Sequence, residues 1–197
     1  AQDKMPLNLT LNVAKGQYTF VNTMTPLKIN DVTLKLTGDL LNYHAELKGD
    51  VAGMNYIPAS QVELNADGKL YEVTVNKLGI ASLDGKSEFV GNANWKNGAN
   101  WDIQADLEKM NIGFFVPVMP ATLSGKLHSR GFAGSQGWQV EVPVADLNGM
   151  LSAKPISLKG SATLNQNVLL TVPDLQIKYG ENYLKASGVL DDHSDFA

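Results

Sequence analysis

The sequence predicts an all-β fold, a long curved antiparallel sheet shaped like a half-pipe with an apolar concave groove. Three observations predict it. Apolar and polar residues alternate with period two over most of the 197 residues, short turn signals separate the alternating runs, and the pattern apolar-x-Gly-x-apolar recurs along the chain. Each strand would then have one apolar and one polar face, which is typical of antiparallel strands and unlike a parallel sheet covered on both sides.

The alternating runs begin near the N-terminus, where leucines at positions 7, 9 and 11 are separated by polar residues, and they continue into the C-terminal third of the chain. Counting such runs gives about 15 strands, which at roughly 4.8 Å per strand would make a sheet about 70 Å wide. Open sheets rarely pass about ten strands without curling or splitting into two. We therefore expect this sheet to curl.

Two prolines mark the best internal boundary. Pro117 and Pro120 cannot lie inside a central strand, so their segment is expected to be a crossover, a hinge or a short helix. The predicted organisation is a first β block over residues 1–110, a proline-containing crossover over residues 111–122, and a second β block over residues 123–197 that continues the same groove.

One hairpin can be predicted residue by residue. A two-residue Asn-Gly turn would send Trp95 and Trp101 to opposite faces of the sheet. A three-residue loop, with Gly98 in the left-handed conformation, instead pairs Ala93 with Trp101 and sets large side chains against small ones on one apolar face. We expect the second register, which also pairs Gly91 with Ile103 and Phe89 with Ala105.

The recurring glycines share a face with their apolar neighbours, since residues i, i+2 and i+4 of a strand lie on the same side. A missing side chain would let the strand bend toward that side and would leave space that the protein does not fill. Gly125, Gly149 and Gly160 are expected to create such space along one trough. The alternative is that each glycine only turns a corner of a closed barrel or sandwich.

The predicted groove is lined by apolar residues of the second block. No residue is predicted to be catalytic, to bind a cofactor or to ligate a metal. The candidate lining residues are Leu127, Val140, Val142, Leu147, Leu151, Leu158, Leu164, Val168 and Leu170.

Charge and motifs exclude several classes of function. The net charge is −4 with no cluster of lysine or arginine, which argues against nucleic-acid binding, and the chain has no cysteine. The three histidines lie far apart and show no metal-ligand spacing. The acidic residues 191, 192 and 195 are expected to be a solvated charge run, and "GFAGSQGW" is expected to be a hairpin loop rather than a phosphate loop.

No run reaches the roughly 18 apolar residues that a membrane-spanning helix needs. The chain begins Ala-Gln-Asp-Lys without a methionine, so we expect it to be part of a longer protein.

Two long segments carry a resemblance to a known family. They read "GFFVPVMPATLSGKLHSRGFAGSQGWQVEVPVADLNGMLSAKPISLKGSATL" and "VPDLQIKYGENYLKASGVLDD". The chain resembles the TamB family, large subunits of the translocation and assembly module of Gram-negative bacteria, over its whole length and as a segment from the later part of such a protein. The resemblance implies a β-taco fold, an inner-membrane anchor elsewhere in the parent, a periplasmic location, the outer-membrane β-barrel TamA as partner, and kinship with AsmA-like and bridge-like lipid-transfer proteins. It implies no catalytic residues.

These observations favour a non-enzymatic segment that shields hydrophobic cargo in its groove. The cargo is expected to be an unfolded outer-membrane polypeptide or autotransporter, handled together with TamA, because exposed strand edges can template pairing. The alternative cargo is phospholipid, whose acyl chains would lie in the groove with the head groups in water. A third hypothesis is a secreted β-sandwich or adhesin-like binding module, which would need the apolar faces closed against each other.

Overall fold

The structure is a computed structural model in which the described residues form a single antiparallel sheet of twelve strands, with no α-helix among them. This confirms the predicted fold class, a curved open sheet. The described residues are 6–19, 26–39, 41–53, 57–82, 84–112, 121–167 and 170–191.

The strands follow one another along the chain with short connections. Their bounds are β1 Pro6–Tyr18, β2 Leu27–Asp39, β3 Tyr43–Gly53, β4 Ile57–Lys69, β5 Glu72–Ser82, β6 Gly85–Asn94, β7 Ala99–Asn111, β8 Ala121–Gly134, β9 Gly137–Leu151, β10 Lys154–Asn165, β11 Leu170–Tyr179 and β12 Asn182–Leu190.

The spatial order of the strands is their order in the sequence, so each strand pairs only with its neighbours in the chain and β1 and β12 are the two edges. The predicted count of about 15 strands was too high for the described residues, which form 12. Strands of 9 to 15 residues continue through breaks in the alternation. In β7, for example, Lys109 has a φ of 52° at a register shift between Leu107 and Met110, so the break is a bulge and not a strand end.

The predicted hairpin register is confirmed. β6 and β7 pair Ala93 with Trp101, Gly91 with Ile103 and Phe89 with Ala105. Gly98 has a φ of 105°, in the left-handed region that the three-residue loop requires.

The predicted proline crossover lies mostly on residues 113–120, which are outside the described residues. On either side of them, β7 and β8 pair directly, and Asn111 is opposite Thr122. One sheet therefore runs from the first predicted block into the second. The division into two blocks stays a prediction.

No second layer covers this sheet among the described residues. The apolar residues classed as buried there are four alanines, and no large side chain is fully buried. The chain exposes 13319 Å², whereas a compact globular protein of 21.3 kDa exposes about 9,100 Å². The apolar faces are not closed against each other, so the β-sandwich hypothesis is wrong for the described part of the chain.

Candidate functional site

One apolar row crosses the whole sheet. Starting at Leu11 in β1, each residue of the row is the direct cross-strand partner of the next, with one residue from each strand. Direct partners lie on the same side of a sheet. We call this side the apolar face. The row consists of Leu11, Leu34, Leu47, Leu64, Leu78, Phe89, Ala105, Leu127, Ala145, Gly160, Leu175 and Ala186.

The pairing places eight of the nine predicted lining residues on the apolar face. Leu127 belongs to the row itself, and Val140 is opposite Leu164. The eight are half-buried, since neighbouring strands cover their sides while no second layer covers their tops. Val168 lies outside the described residues. That these residues contact a ligand stays a prediction.

The sequence reasoning selected lining residues only from the second block. The structure shows that the first five strands also contribute, because Leu11, Leu34, Leu47, Leu64 and Leu78 continue the same row. The signal that could have found them is the one already used for the second block, since each of these leucines lies in an alternating run.

Gly125, Gly149 and Gly160 do not leave free space, so the expectation that they do was wrong. A Cβ added at Gly125 would overlap the backbone carbonyl of Asp146, and one at Gly149 would overlap that of Thr122. At Gly160 the nearest obstacle is the carbonyl of Asp174. These glycines allow the neighbouring strand's backbone to approach closely, and the apparent gap is filled by the sheet itself.

The opposite side, which we call the polar face, is joined across strands by ion pairs. Glu63 in β4 bridges Lys48 in β3 and Lys77 in β5, with N–O distances of 2.9 and 3.0 Å. The two ammonium groups hydrogen-bond to this carboxylate and lower the pKa of Glu63 below its usual value. Farther along the sheet, Lys126–Asp106 and Lys159–Asp146 form pairs at 2.9 Å.

Two histidines also pair with aspartates on the polar face. His44 Nδ1 lies 2.8 Å from Asp67, and the hydrogen bond to this carboxylate raises the pKa of His44. His128 Nε2 lies 2.7 Å from Asp102. In the part of the chain that the structure describes, no three side chains of the metal-ligating types come together as an ion site. His193 and the acidic residues 192 and 195 lie outside the described residues.

A cleft of about 770 Å³ extends across β2 to β7 and is lined mainly by polar-face residues. Gly79 and Ala81 form its low floor, and charged side chains such as Lys48, Glu63 and Glu88 surround them. This hollow lies on the charged side of the sheet. The apolar concave groove therefore stays a prediction.

The "GFAGSQGW" segment is a hairpin, as predicted. β8 ends at Gly134, β9 begins at Gly137, and these two glycines are cross-strand partners. The segment lies between two strands, without the strand-to-helix transition of a phosphate loop.

Comparison with known proteins identifies the family. The family model described as "TamB, N-terminal domain" matches residues 1–197. The chain belongs to the TamB family. Among curated proteins, it is 99% identical over 197 residues to the translocation and assembly module subunit TamB of Haemophilus influenzae, strain Rd. The match covers 100% of this chain and 15% of that relative, so the chain spans a small part of the relative's length.

No solved structure matches the chain. The description of the matching model names an N-terminal domain, so a position in the later part of a TamB protein stays an expectation. Among the described residues there is no helix with the length and apolar character needed to cross a bilayer.

Proposed function

We propose that this chain is a periplasmic, non-enzymatic segment of a TamB-family protein that is anchored in the inner membrane and acts with TamA in outer-membrane biogenesis. In this role its apolar face shields hydrophobic cargo, outer-membrane polypeptides including autotransporters, during their translocation and assembly. The single observation that carries the proposal is the apolar row, which crosses all twelve strands without a charged or polar residue.

The exposure of the apolar face supports a binding role. Monomeric soluble proteins rarely expose a contiguous apolar patch beyond a few hundred square ångströms, and larger patches mark interaction sites. Here even lining residues in central strands, such as Leu127 and Leu158, are only half-buried. A bound cargo would cover the apolar face in the way that the second sheet does in a β-sandwich.

The uniformity of the row supports movement along the sheet. Burying one methylene is worth about 0.8 kcal/mol, so a single deep apolar site would hold a long hydrophobic cargo tightly. Successive strands instead present similar residues at a spacing of roughly 4.8 Å. Cargo that leaves one strand's residues meets equivalent residues on the next strand, so each step costs little.

Phospholipid is the second candidate cargo. The composition of the row favours it, because leucine, alanine and glycine, with the single aromatic residue Phe89, offer acyl chains a continuous apolar surface. The same protein would then act as a conduit for phospholipid between the inner and outer membranes. No catalytic step distinguishes the two roles, so the distinction rests on what contacts the apolar face.

Site-specific photo-crosslinking in the full-length protein, in cells, tests the proposal. A photoreactive residue at Leu127, Leu151 or Leu158 is expected to capture cargo. The matched controls are Lys126 and Lys159, which neighbour two of these positions in sequence and lie on the polar face. They are expected to capture none.

The captured molecule identifies the cargo. Outer-membrane polypeptides that disappear from the adducts when TamA is absent would support the assembly role. Phospholipid at every lining position would support the lipid conduit and replace the first proposal. Equal capture from lining and control positions would refute both roles, because the cargo would then bind without preference for the apolar face.

A further inference from the structure

Large apolar side chains are exposed at three successive hairpin tips. Leu41 lies in the β2–β3 turn, Leu70 and Tyr71 form the β4–β5 turn, and Trp95 follows β6. Because turns alternate between the two ends of an antiparallel meander, these three tips lie at the same end of the strands. Their exposed fractions are 46%, 54%, 45% and 47%. We call these four residues the apolar tips.

Hydrogen bonds hold the tips in place. The Asp39 carboxylate accepts hydrogen bonds from the backbone N–H groups of Leu41 and Asn42, at 2.8 and 2.9 Å. The backbone N–H of Trp95 donates to the carbonyl oxygen of Tyr71 at 2.9 Å, which joins two neighbouring tips. The apolar side chains are therefore presented on fixed backbone, and binding through them costs little ordering entropy.

The residue types at these positions are unusual for turns. Exposed turns are normally built from glycine, asparagine, aspartate, serine and proline. Tryptophan and tyrosine combine an apolar ring with a polar group, which suits the boundary between lipid head groups and acyl chains.

The charges beside the tips complement a phospholipid surface. Lys96 follows Trp95 directly, is exposed, and forms no ion pair within the described ranges. Its ammonium group is available for a lipid phosphate. The other lysine at these tips, Lys69, is paired with Glu72 at 2.6 Å, and the Asp39 carboxylate accepts the backbone hydrogen bonds of its own turn.

We propose that the apolar tips dock on a phospholipid bilayer, with the side chains of Leu41, Leu70, Tyr71 and Trp95 in the interfacial region and Lys96 at the phosphates. This contact is separate from cargo binding on the apolar face. It would fix one end of the strands against a membrane while the rest of the sheet remains in water.

Tryptophan fluorescence tests the contact with the 197-residue chain. The chain has three tryptophans, so the double variant Trp101→Phe/Trp138→Phe keeps only Trp95. With vesicles of phosphatidylethanolamine and phosphatidylglycerol whose acyl chains are brominated, Trp95 is expected to be quenched. A second chain that keeps only Trp101, on the apolar face, is expected to be quenched far less.

Vesicle co-sedimentation supplies the binding measurement. Leu70→Ser/Tyr71→Ser removes both apolar side chains of the β4–β5 turn, and it is expected to weaken vesicle binding about tenfold or more. The matched control is Gln136→Ser in the β8–β9 turn at the same end of the strands, and its binding is expected to be unchanged. Circular dichroism establishes that each variant is folded.

A measurement in the full-length protein makes the result independent of whether the 197 residues fold alone. Photoreactive residues at Leu70 and Trp95 are expected to give phospholipid adducts in cells, and one at Gln136 is not. Equal quenching of Trp95 and Trp101, or polypeptide adducts alone at the tips, would overturn the proposal. The proposal would also be overturned if the chain formed a dimer and the variant Leu70→Ser/Tyr71→Ser converted that dimer to monomers. Photo-crosslinking at Leu127, on the apolar face, tests the cargo proposal independently of the result at the tips.

Discussion

Replacing Gly125 with alanine tests what the in-strand glycines do. Gly125 lies within β8, has a φ of 135°, and is opposite Leu107 on one side and Leu147 on the other. Its position among apolar residues suggests that a methyl group would enter free space. The structure predicts the opposite, because the new Cβ would overlap the carbonyl of Asp146.

The cost follows from two terms. An alanine held in this sparsely populated backbone region is strained by about 1–3 kcal/mol. Relief of the overlap requires β8 and β9 to move apart, which disturbs ladder hydrogen bonds and brings the expected loss of unfolding free energy to about 2–4 kcal/mol. For a chain of this size, each kcal/mol lowers the melting temperature by about 2–4 °C.

Gly79→Ala is the matched control. Gly79 is also within a strand, but its φ lies outside the left-handed region, and the atoms nearest to an added Cβ are Lys77 Cε at 3.7 Å and the Glu63 carbonyl at 3.9 Å. These are ordinary contacts. Alanine here is expected to leave stability unchanged or to raise it by about 0.5 kcal/mol, since it restricts the unfolded chain.

The assay is urea unfolding of both variants, followed by circular dichroism in the strand region. A lower midpoint for Gly125→Ala with an unchanged slope is the expected result. If the two variants had equal stability, the overlap at Gly125 would not exist, and the trough model of the glycines would be restored.

Further predictions concern the two faces of the sheet. Leu158→Asp is expected to reduce cargo capture and to keep the circular dichroism signal of the strands. The control Ser157→Asp, on the polar face of the same strand, is expected to preserve both. Loss of the strand signal in Leu158→Asp would show that this position is structural core. Asp67→Asn should lower the pKa of His44 toward its ordinary value, measured by NMR of the imidazole, because the hydrogen-bonded carboxylate is lost. The His44–Asp67 contribution to stability should be complete between the ordinary pKa of aspartate and the ordinary pKa of histidine. It should be lost as the pH falls through the lowered pKa of Asp67 or rises through the raised pKa of His44. An unshifted His44 resonance in Asp67→Asn would contradict the assignment.

The sequence predicted the features that follow from period-two alternation. The fold class, the shared face of residues such as Leu127 and Leu147, and the register at Ala93 and Trp101 all depend on which side of a strand a residue faces. That property is readable from a short run of residues.

The features that the sequence did not predict depend on the neighbouring strand. The strand count was too high for the described residues because bulges, such as the one at Lys109, interrupt the alternation without ending a strand. The surroundings of Gly125 are determined by the backbone of β9, about 20 residues away along the chain, which no local pattern reveals. The charged cleft across β2 to β7 arises from six strands together.

Because the strands lie side by side in their sequence order, the number of strands determines the width of this sheet. Each strand hydrogen-bonds only to its neighbours, so adding or removing one hairpin changes the width by roughly 10 Å and leaves the pairings of the other strands within the sheet as they were. A single strand cannot be removed in this way, because the next strand would then run in the wrong direction and its turn would move to the opposite end. Over evolution, the width of such a sheet can therefore change in whole hairpins, two strands at a time.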